Sequence, residues 1–337
     1  MICVIDRRET TIQYRAGCLL LGHRNEKQRS LPLNQLDQVV VYGNPLAETS
    51  VWRNLAEAAI PVVLLASRGR PQAAMLGSGL AVRLPLRRMQ HRLADRPQAC
   101  LAMARWFVQR KISGYQLPMT ILTERFSLAQ DEKNRFLDRL DLAGHHLEHA
   151  ATVSEVMGIE GSLAQAWFSL LAGALPSRFR FQGRNRRPPR DPVNSLLSLA
   201  YTLLHSEVRQ ALLIEGFDPS LGFLHQEYPG REALALDFQE IFRTGVDWFI
   251  LRWLADTPLD RSSFYYRREE GCRLAKATRP LFYQAWATFR EQWPRPGSLG
   301  GNEQLAPIRE LLLGQTAAAR RFMTTLERGC EQNDQTD

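Results

Sequence analysis

Residues 194–215 read NSLLSLAYTLLHSEVRQALLIE, and Gly216 follows. Leu196, Leu197, Ala200, Leu203, Leu204, Val208, Ala211 and Leu212 share the spacing of one helical face, which predicts a helix over 194–215. Asn194 or Ser195 suits its N-cap and Gly216 its C-cap, where a left-handed residue closes the last turn. Downstream, Pro229 and Gly230 break the chain, and the run from Glu232 to Leu254, dense in Leu, Phe, Ile and Trp, predicts a second, deeply buried helix. Upstream, amphipathic segments begin with Met89 to Arg110.

The character before Gly77 and Gly79 is different. Short apolar runs at Ile2 to Ile5, Val39 to Tyr42 and Pro61 to Leu65 are separated by turn residues such as Gly43, Asn44 and Pro45. One helical stretch, Ser50 to Ala59, interrupts them, with Val51, Leu55 and Ala58 on one face. Strands followed by helices predict an α+β chain. The expected division is a β-rich domain over 1–82, a linker over 83–95, an all-α domain over 96–330 and a disordered polar tail over 331–337.

The chain has 337 residues, 45% of them hydrophobic, enough for two cores. Lys and Arg number 43 against 35 Asp and Glu, a net charge of +8 that favours an anionic partner, most simply nucleic acid. No apolar run approaches the ~18 residues of a membrane span, and the start MICVIDRRETT lacks a signal peptide's apolar core, so a cytoplasmic protein without a membrane partner is expected. The five cysteines are scattered, without the close pairs of zinc or redox sites.

Glu160, His225, Asp237 and Glu240 lie in or beside apolar segments, where charge is costly without a partner. Asp237 and Glu240 are three apart and project from one helical face, and His225 precedes them in the loop GFDPSLGFLHQEYPG. These residues either form a metal site or are separately satisfied: Glu240 by Arg243 one turn on, Glu160 by a helix start between Gly158 and Gly161. A second feature is SRFRFQGRNRRPPRDP, with Arg178, Arg180, Arg184, Arg186, Arg187 and Arg190 and no acid among them, a segment that repels itself unless phosphates neutralise it. Phe179 and Phe181 either stack an unpaired base or, the favoured reading, pin this loop. Arg83, Arg87, Arg88, His91 and Arg92 form another basic cluster, either a track for a DNA backbone or a solvated helix face.

Several strings together resemble the CRISPR-associated adaptation integrase and endonuclease family, the Cas-one protein. They are VVVYGNPLAET at 39–49, IPVVLLASRGR at 60–70, GIEG at 158–161, RPPRDPVNSLLSLAY at 187–201, GFLH at 222–225 and LALDFQEIFR at 234–243. The resemblance spans nearly the whole chain. It implies an N-terminal β-sandwich-like dimerisation domain and an all-α catalytic domain. It also implies a metal site of Glu160, His225 and Glu240 with Asp237 as supporting acid, a swap between the two acids staying open. Arg87, Arg88, Arg178, Arg184, Arg186, Arg187 and Arg190 are similar to segments associated with DNA handling, as is Gln90.

Two carboxylates and an imidazole suit Mg²⁺ or Mn²⁺ better than a closed zinc site. Such an ion polarises a phosphodiester and activates the attacking hydroxyl. With a DNA 3′-OH the outcome is strand transfer, which the resemblance favours: short spacer DNA inserted at a CRISPR repeat by a homodimer, with the small Cas-two protein bridging dimers. With water it is a structure-selective endonuclease. The reading outside enzymes is an architectural DNA-binding subunit.

Overall fold

A computed structural model describes residues 1–7, 9–23, 26–65, 73–76, 83–296 and 305–333. The first part carries β1 (Ile2–Ile5), β2 (Thr11–Arg15), β3 (Cys18–Gly22), β4 (Arg29–Pro32), β5 (Gln38–Tyr42), β6 (Leu46–Ala47), α1 (Thr49–Glu57), β7 (Val62–Leu65) and β8 (Ala73–Leu76). They form two sheets, ordered β1-β5-β7-β8 and β4-β3-β2-β6. Ile12 and Leu19 of one sheet, Ile5, Val39, Val41 and Val62 of the other, and Val51 and Leu55 of α1 share one core. This is the expected sandwich-like arrangement.

The first sheet is buried on both faces, which explains why QVVVY has no polar alternation. Val39 and Val41 face the sandwich core, while Val40 and Val63, both 0% exposed, face the helical part. Polar contacts hold the same junction. The Tyr42 and Tyr283 hydroxyls meet at 2.6 Å, Arg279 lies 4.3 Å over the Tyr42 ring and 2.9 Å from Asp6, and Arg290, held by Glu207 at 2.7 and 2.9 Å, reaches Asp37 at 3.7 Å.

The helical part comprises α2 (Leu84–Ala94), α3 (Pro97–Gly114), α4 (Gln116–Phe126), α5 (Gln130–His149), α6 (Val153–Ala174), α7 (Pro192–Glu215), α8 (Ala233–Asp256), α9 (Arg279–Arg290) and α10 (Ile308–Asn333). Around α8, buried along most of its length, pack α3, α4 and α7. Gly216 ends α7 at φ +93°, its N–H bonded to Leu212 and Leu213 carbonyls.

Several expectations change. The segment 83–95 is no linker but α2, whose Leu86, Met89 and Leu93 enter the helical core. Helix 89–110 is two helices, because Pro97 cannot continue α2 but suits the first turn of α3. The N-cap of α7 is Asp191, which accepts the Asn194 N–H at 2.8 Å, since Pro192 begins the helix. The region is not all helix: β9 (Phe264–Arg267) pairs with β10 (Gly271–Leu274), and β11 (Trp293–Pro294) with β12 (Leu305–Ala306). Helix α10 runs through Asn333, into the expected tail. The boundary at 82, Gly77 and Gly79, and residues 334–337 lie outside the described residues. No helix among the described residues is long and apolar enough to cross a membrane.

Candidate active site

Three helices and one loop bring the acids together. Glu160 does not start a helix: α6 begins at Val153 under a Thr152 cap, and Glu160 projects from the body of the helix. Glu240 comes from α8 and is 2% exposed, against 18% for the Glu160 side chain, so one carboxylate lies at the floor of the site and the other nearer its mouth.

Both converge on a residue that the sequence reading did not single out. The Lys111 ammonium, on α3 and 3% exposed, binds Glu240 at 2.6 Å and also hydrogen-bonds Glu160. Arg243 reaches Glu240 from the other side at 3.1 Å, so the pairing one turn along α8 is realised as well. Burial alone would push Glu240 up, but Arg243 and Lys111 hold it well below the usual carboxylate range. Burial would likewise lower Lys111, and Glu240 with Glu160 holds it raised. A signal was present in the sequence: Lys111 shares a helical stripe with Phe107, Val108 and Ile112, where a lysine needs a carboxylate partner.

His225 is positioned from two directions. Gln90 of α2, fully buried, donates to the Asp218 and Leu221 carbonyls at 2.9 and 2.7 Å and accepts the Asp218 N–H at 2.9 Å. This fastens the loop just before GFLH, a structural role, whereas the family resemblance tied Gln90 to DNA. Asp237, 0% exposed, then accepts the Phe223, Leu224 and His225 N–H groups at 2.7, 3.1 and 2.9 Å, and its Oδ1 meets His225 Nδ1 at 2.8 Å. Gly222 permits the approach, since a Cβ there would stand 2.8 Å from Ala233 Cβ and 2.9 Å from Asp237 Oδ2. With Nδ1 engaged, Nε2 is the nitrogen His225 presents to a ligand. Burial acts to lower the His225 pKa, and the Asp237 hydrogen bond and charge outweigh it, leaving it raised.

Asp237 and Glu240 therefore differ in kind: Asp237 spends its oxygens on the loop, while those of Glu240 face Lys111 and Arg243. Among the described residues no three His, Cys, Asp or Glu side chains stand close enough to enclose an ion as they are. The expected trio is interrupted by Lys111, which bridges the two carboxylates. Their chemistry nonetheless fits a hard divalent cation: two carboxylates on separate helices and an imidazole with its far nitrogen fixed by an acid.

Behind the site, Asp247 is buried and accepts from Trp167 Nε1 at 2.9 Å and from the Tyr201 hydroxyl. Burial pushes its carboxyl up to about 6.

The arginine-rich loop divides by burial. Phe179 and Phe181 are buried and so pin it. Arg184 is built in: it donates to Asn194 Oδ1 at 2.8 Å and Ser198 Oγ at 3.2 Å and faces the Tyr201 ring at 5.6 Å, and burial lowers it to about 10. Arg178, Arg180, Arg186, Arg187 and Arg190 are exposed. Arg186 stands at the mouth of the site, solvent on one side, crowded enough on the other that burial and the Arg243 charge push it down. Strand β10 anchors the loop through Cys272 N–H to Pro189 O at 2.7 Å. In the other cluster Arg83 pairs with Glu215 and Arg92 with Glu327, Arg87 donates to Gly216 O at 3.1 Å, and Arg88 and His91 stay exposed.

The family CRISPR associated protein Cas1 matches residues 3–288. A CRISPR-associated endonuclease Cas1 of Thermodesulfovibrio yellowstonii is 32% identical over 295 residues, covering 86% of this chain and 90% of that protein. In fold the chain resembles a casposase bound to integration product, with TM-score 0.80 and 18% identity over 96% of this chain and 90% of the other. It also resembles a chain of a Cas6-RT-Cas1–Cas2 complex, with TM-score 0.77 and 23% identity over 97% of this chain and 35% of that one.

Proposed function

The chain belongs to the CRISPR-associated Cas1 family, and from that premise we propose that it is a DNA nuclease and integrase of CRISPR adaptation whose reaction depends on a divalent metal. The observation that carries the proposal is the convergence of Glu160 and Glu240 beside a histidine whose Nδ1 is fixed by Asp237.

Glu160, His225 and Glu240 would hold Mg²⁺ or Mn²⁺. When bound, such an ion supplies Lewis acidity to the scissile phosphodiester and lowers the pKa of the attacking hydroxyl. Asp237 keeps His225 oriented, holding Nδ1 so that Nε2 is the nitrogen presented to the ion. Arg186, at the mouth, and the exposed Arg178, Arg187 and Arg190 neutralise the backbone phosphates of double-stranded DNA and set its register. Arg88 extends that basic surface.

In strand transfer the 3′-OH of a spacer precursor attacks a phosphodiester at the CRISPR repeat. One P–O bond forms to the incoming strand, one breaks, and the departing 3′-oxygen takes up a proton. With water as nucleophile the same site cuts without joining. The homodimer and the Cas2 partner belong to this proposal. A chain similar in fold comes from a Cas1–Cas2 complex, and another is bound to integration product, which favours joining over an architectural role.

The test mixes the protein, its Cas2 partner, a short duplex with free 3′-OH ends and a supercoiled CRISPR plasmid. Covalently joined plasmid with Mn²⁺ or Mg²⁺ and none with EDTA is the expected result. Joining that survives EDTA contradicts metal dependence, and cutting without joining leaves a nuclease alone.

A further inference from the structure

Lys111 is a buried cation shared by two carboxylates from different helices, its side chain 3% exposed at the edge of a helical core. Together with Arg243 it balances Glu160 and Glu240: two positive charges against two negative. Without Lys111, two carboxylates would face each other with Arg243 as the counter-charge in contact with Glu240, a costly arrangement in a desolvated site. With Lys111 in place these four side chains are neutral together and the buried Asp237 adds one negative charge, so a dication entering would leave the site at about +1 in low dielectric unless a cation withdraws. Arg243 is not the one to yield: its Nε contacts Glu240 Oε1 and its guanidinium lies 4.9 Å over the Tyr201 ring, a second contact that its withdrawal would break. Lys111 is the group in contact with both oxygens that an incoming ion would need.

We propose that Lys111 is an internal counter-ion of the metal-free protein, holding Glu160 and Glu240 at one point and giving up its contacts with them when a divalent cation binds. The inference rests on the reading of Glu160, His225 and Glu240 as metal ligands. It makes Lys111 a positioning residue with two opposed effects, stabilising the metal-free fold and weakening metal affinity. A lysine suits this exchange better than an arginine, because its flexible stem and point-like ammonium can swing aside without breaking a planar fork of hydrogen bonds.

The experiment measures Mn²⁺ binding by the loss of the free-ion EPR signal, and thermal unfolding with and without Mn²⁺. It compares the full chain with Lys111→Met, Lys111→Gln and His225→Ala. The neutral variants are expected to unfold at lower temperature without metal, to bind Mn²⁺ about tenfold tighter or more, and to gain more stability from Mn²⁺ than wild type does. Equal or weaker Mn²⁺ binding by folded neutral variants, with wild type binding and His225→Ala not binding, overturns the role of Lys111 and leaves the metal site standing. Binding that His225→Ala does not affect overturns the metal site and the inference with it. A crystal structure of wild type grown with Mn²⁺ decides the matter independently of how the variants fold: an ion bound while Lys111 still bridges both carboxylates contradicts the proposal, and an ion with Lys111 turned away supports it.

Discussion

Asp237 Oδ1 accepts two hydrogen bonds from His225, from the backbone N–H at 2.9 Å and from the ring Nδ1 at 2.8 Å, so a single carboxylate oxygen fixes both where this histidine sits and which way its ring faces. Asp237→Asn replaces an acceptor oxygen with an NH₂ group facing N–H donors. A buried network left unpaired costs about 1–3 kcal/mol, and loss of such an orienting partner typically costs about 10- to 100-fold in metal affinity. The variant is expected to melt lower and to bind Mn²⁺ more weakly without losing binding altogether, as calorimetry and Mn²⁺ titration would read. Wild-type Mn²⁺ affinity in this variant contradicts the positioning role.

Glycines around the site separate into those the packing needs and those it does not. Gly222→Ala would set a Cβ 2.8 Å from Ala233 and 2.9 Å from Asp237 Oδ2, and the overpacking is expected to cost about 1–3 kcal/mol and to depress strand transfer. Gly158 and Gly161 have open space around a built Cβ on α6, so alanine at either should stabilise by about 0.5–1 kcal/mol. Denaturant unfolding of the three variants reads both signs.

The arginines of the 178–190 loop should respond in two ways. Arg184→Ala removes the hydrogen bonds to Asn194 and Ser198 and the packing on Tyr201, and is expected to lower the melting temperature. Arg186→Ala with Arg187→Ala, both exposed, should leave stability within about 0.5 kcal/mol and reduce the slope of log K against log salt by about 1 for each phosphate these arginines neutralise. DNA titrations across a salt series separate these outcomes, and an unchanged slope removes the loop from the DNA path.

Much of this architecture was legible before any coordinates. The face of 196–212 and the valine run at 38–42 were decisive because periodicity reports burial directly. The acids and His225 stood out because charge in apolar company needs a reason. What stayed hidden depends on contacts between residues distant in sequence. Lys111 reads as one lysine among many until α3, α6 and α8 are packed together. Gln90 reads as part of a basic helix face until the loop 218–221 lies against it. Arg184 cannot be told from Arg186 by spacing, because only the position of Asn194 decides which is built in. The β9–β10 hairpin went unseen because its short strands lack a clear alternating pattern.

Asp247 supplies a pH dependence. Burial raises its carboxyl to about 6 in the folded chain, above an ordinary value of 3.8, so the folded state favours the protonated form. That contribution to stability is fully present below the unfolded value and is lost as pH rises through about 6. Asp247→Asn, neutral at every pH, should therefore gain on wild type by about 2–3 kcal/mol between pH 3.8 and 6 and level off above. Urea unfolding of both proteins across this range checks it, and a difference that stays flat with pH contradicts the burial argument.

The central claim is that Glu160, His225 and Glu240 make one metal-dependent centre for joining DNA. The most direct measurement is strand transfer in Mn²⁺ by wild type, Glu160→Ala and His225→Ala, each first shown to be folded and to bind the duplex. Joining by wild type and its loss by at least a hundredfold in both variants, with DNA binding retained, is the expected result, on the order of what removing one group acting at the reacting centre costs. Robust joining by either variant contradicts the assignment.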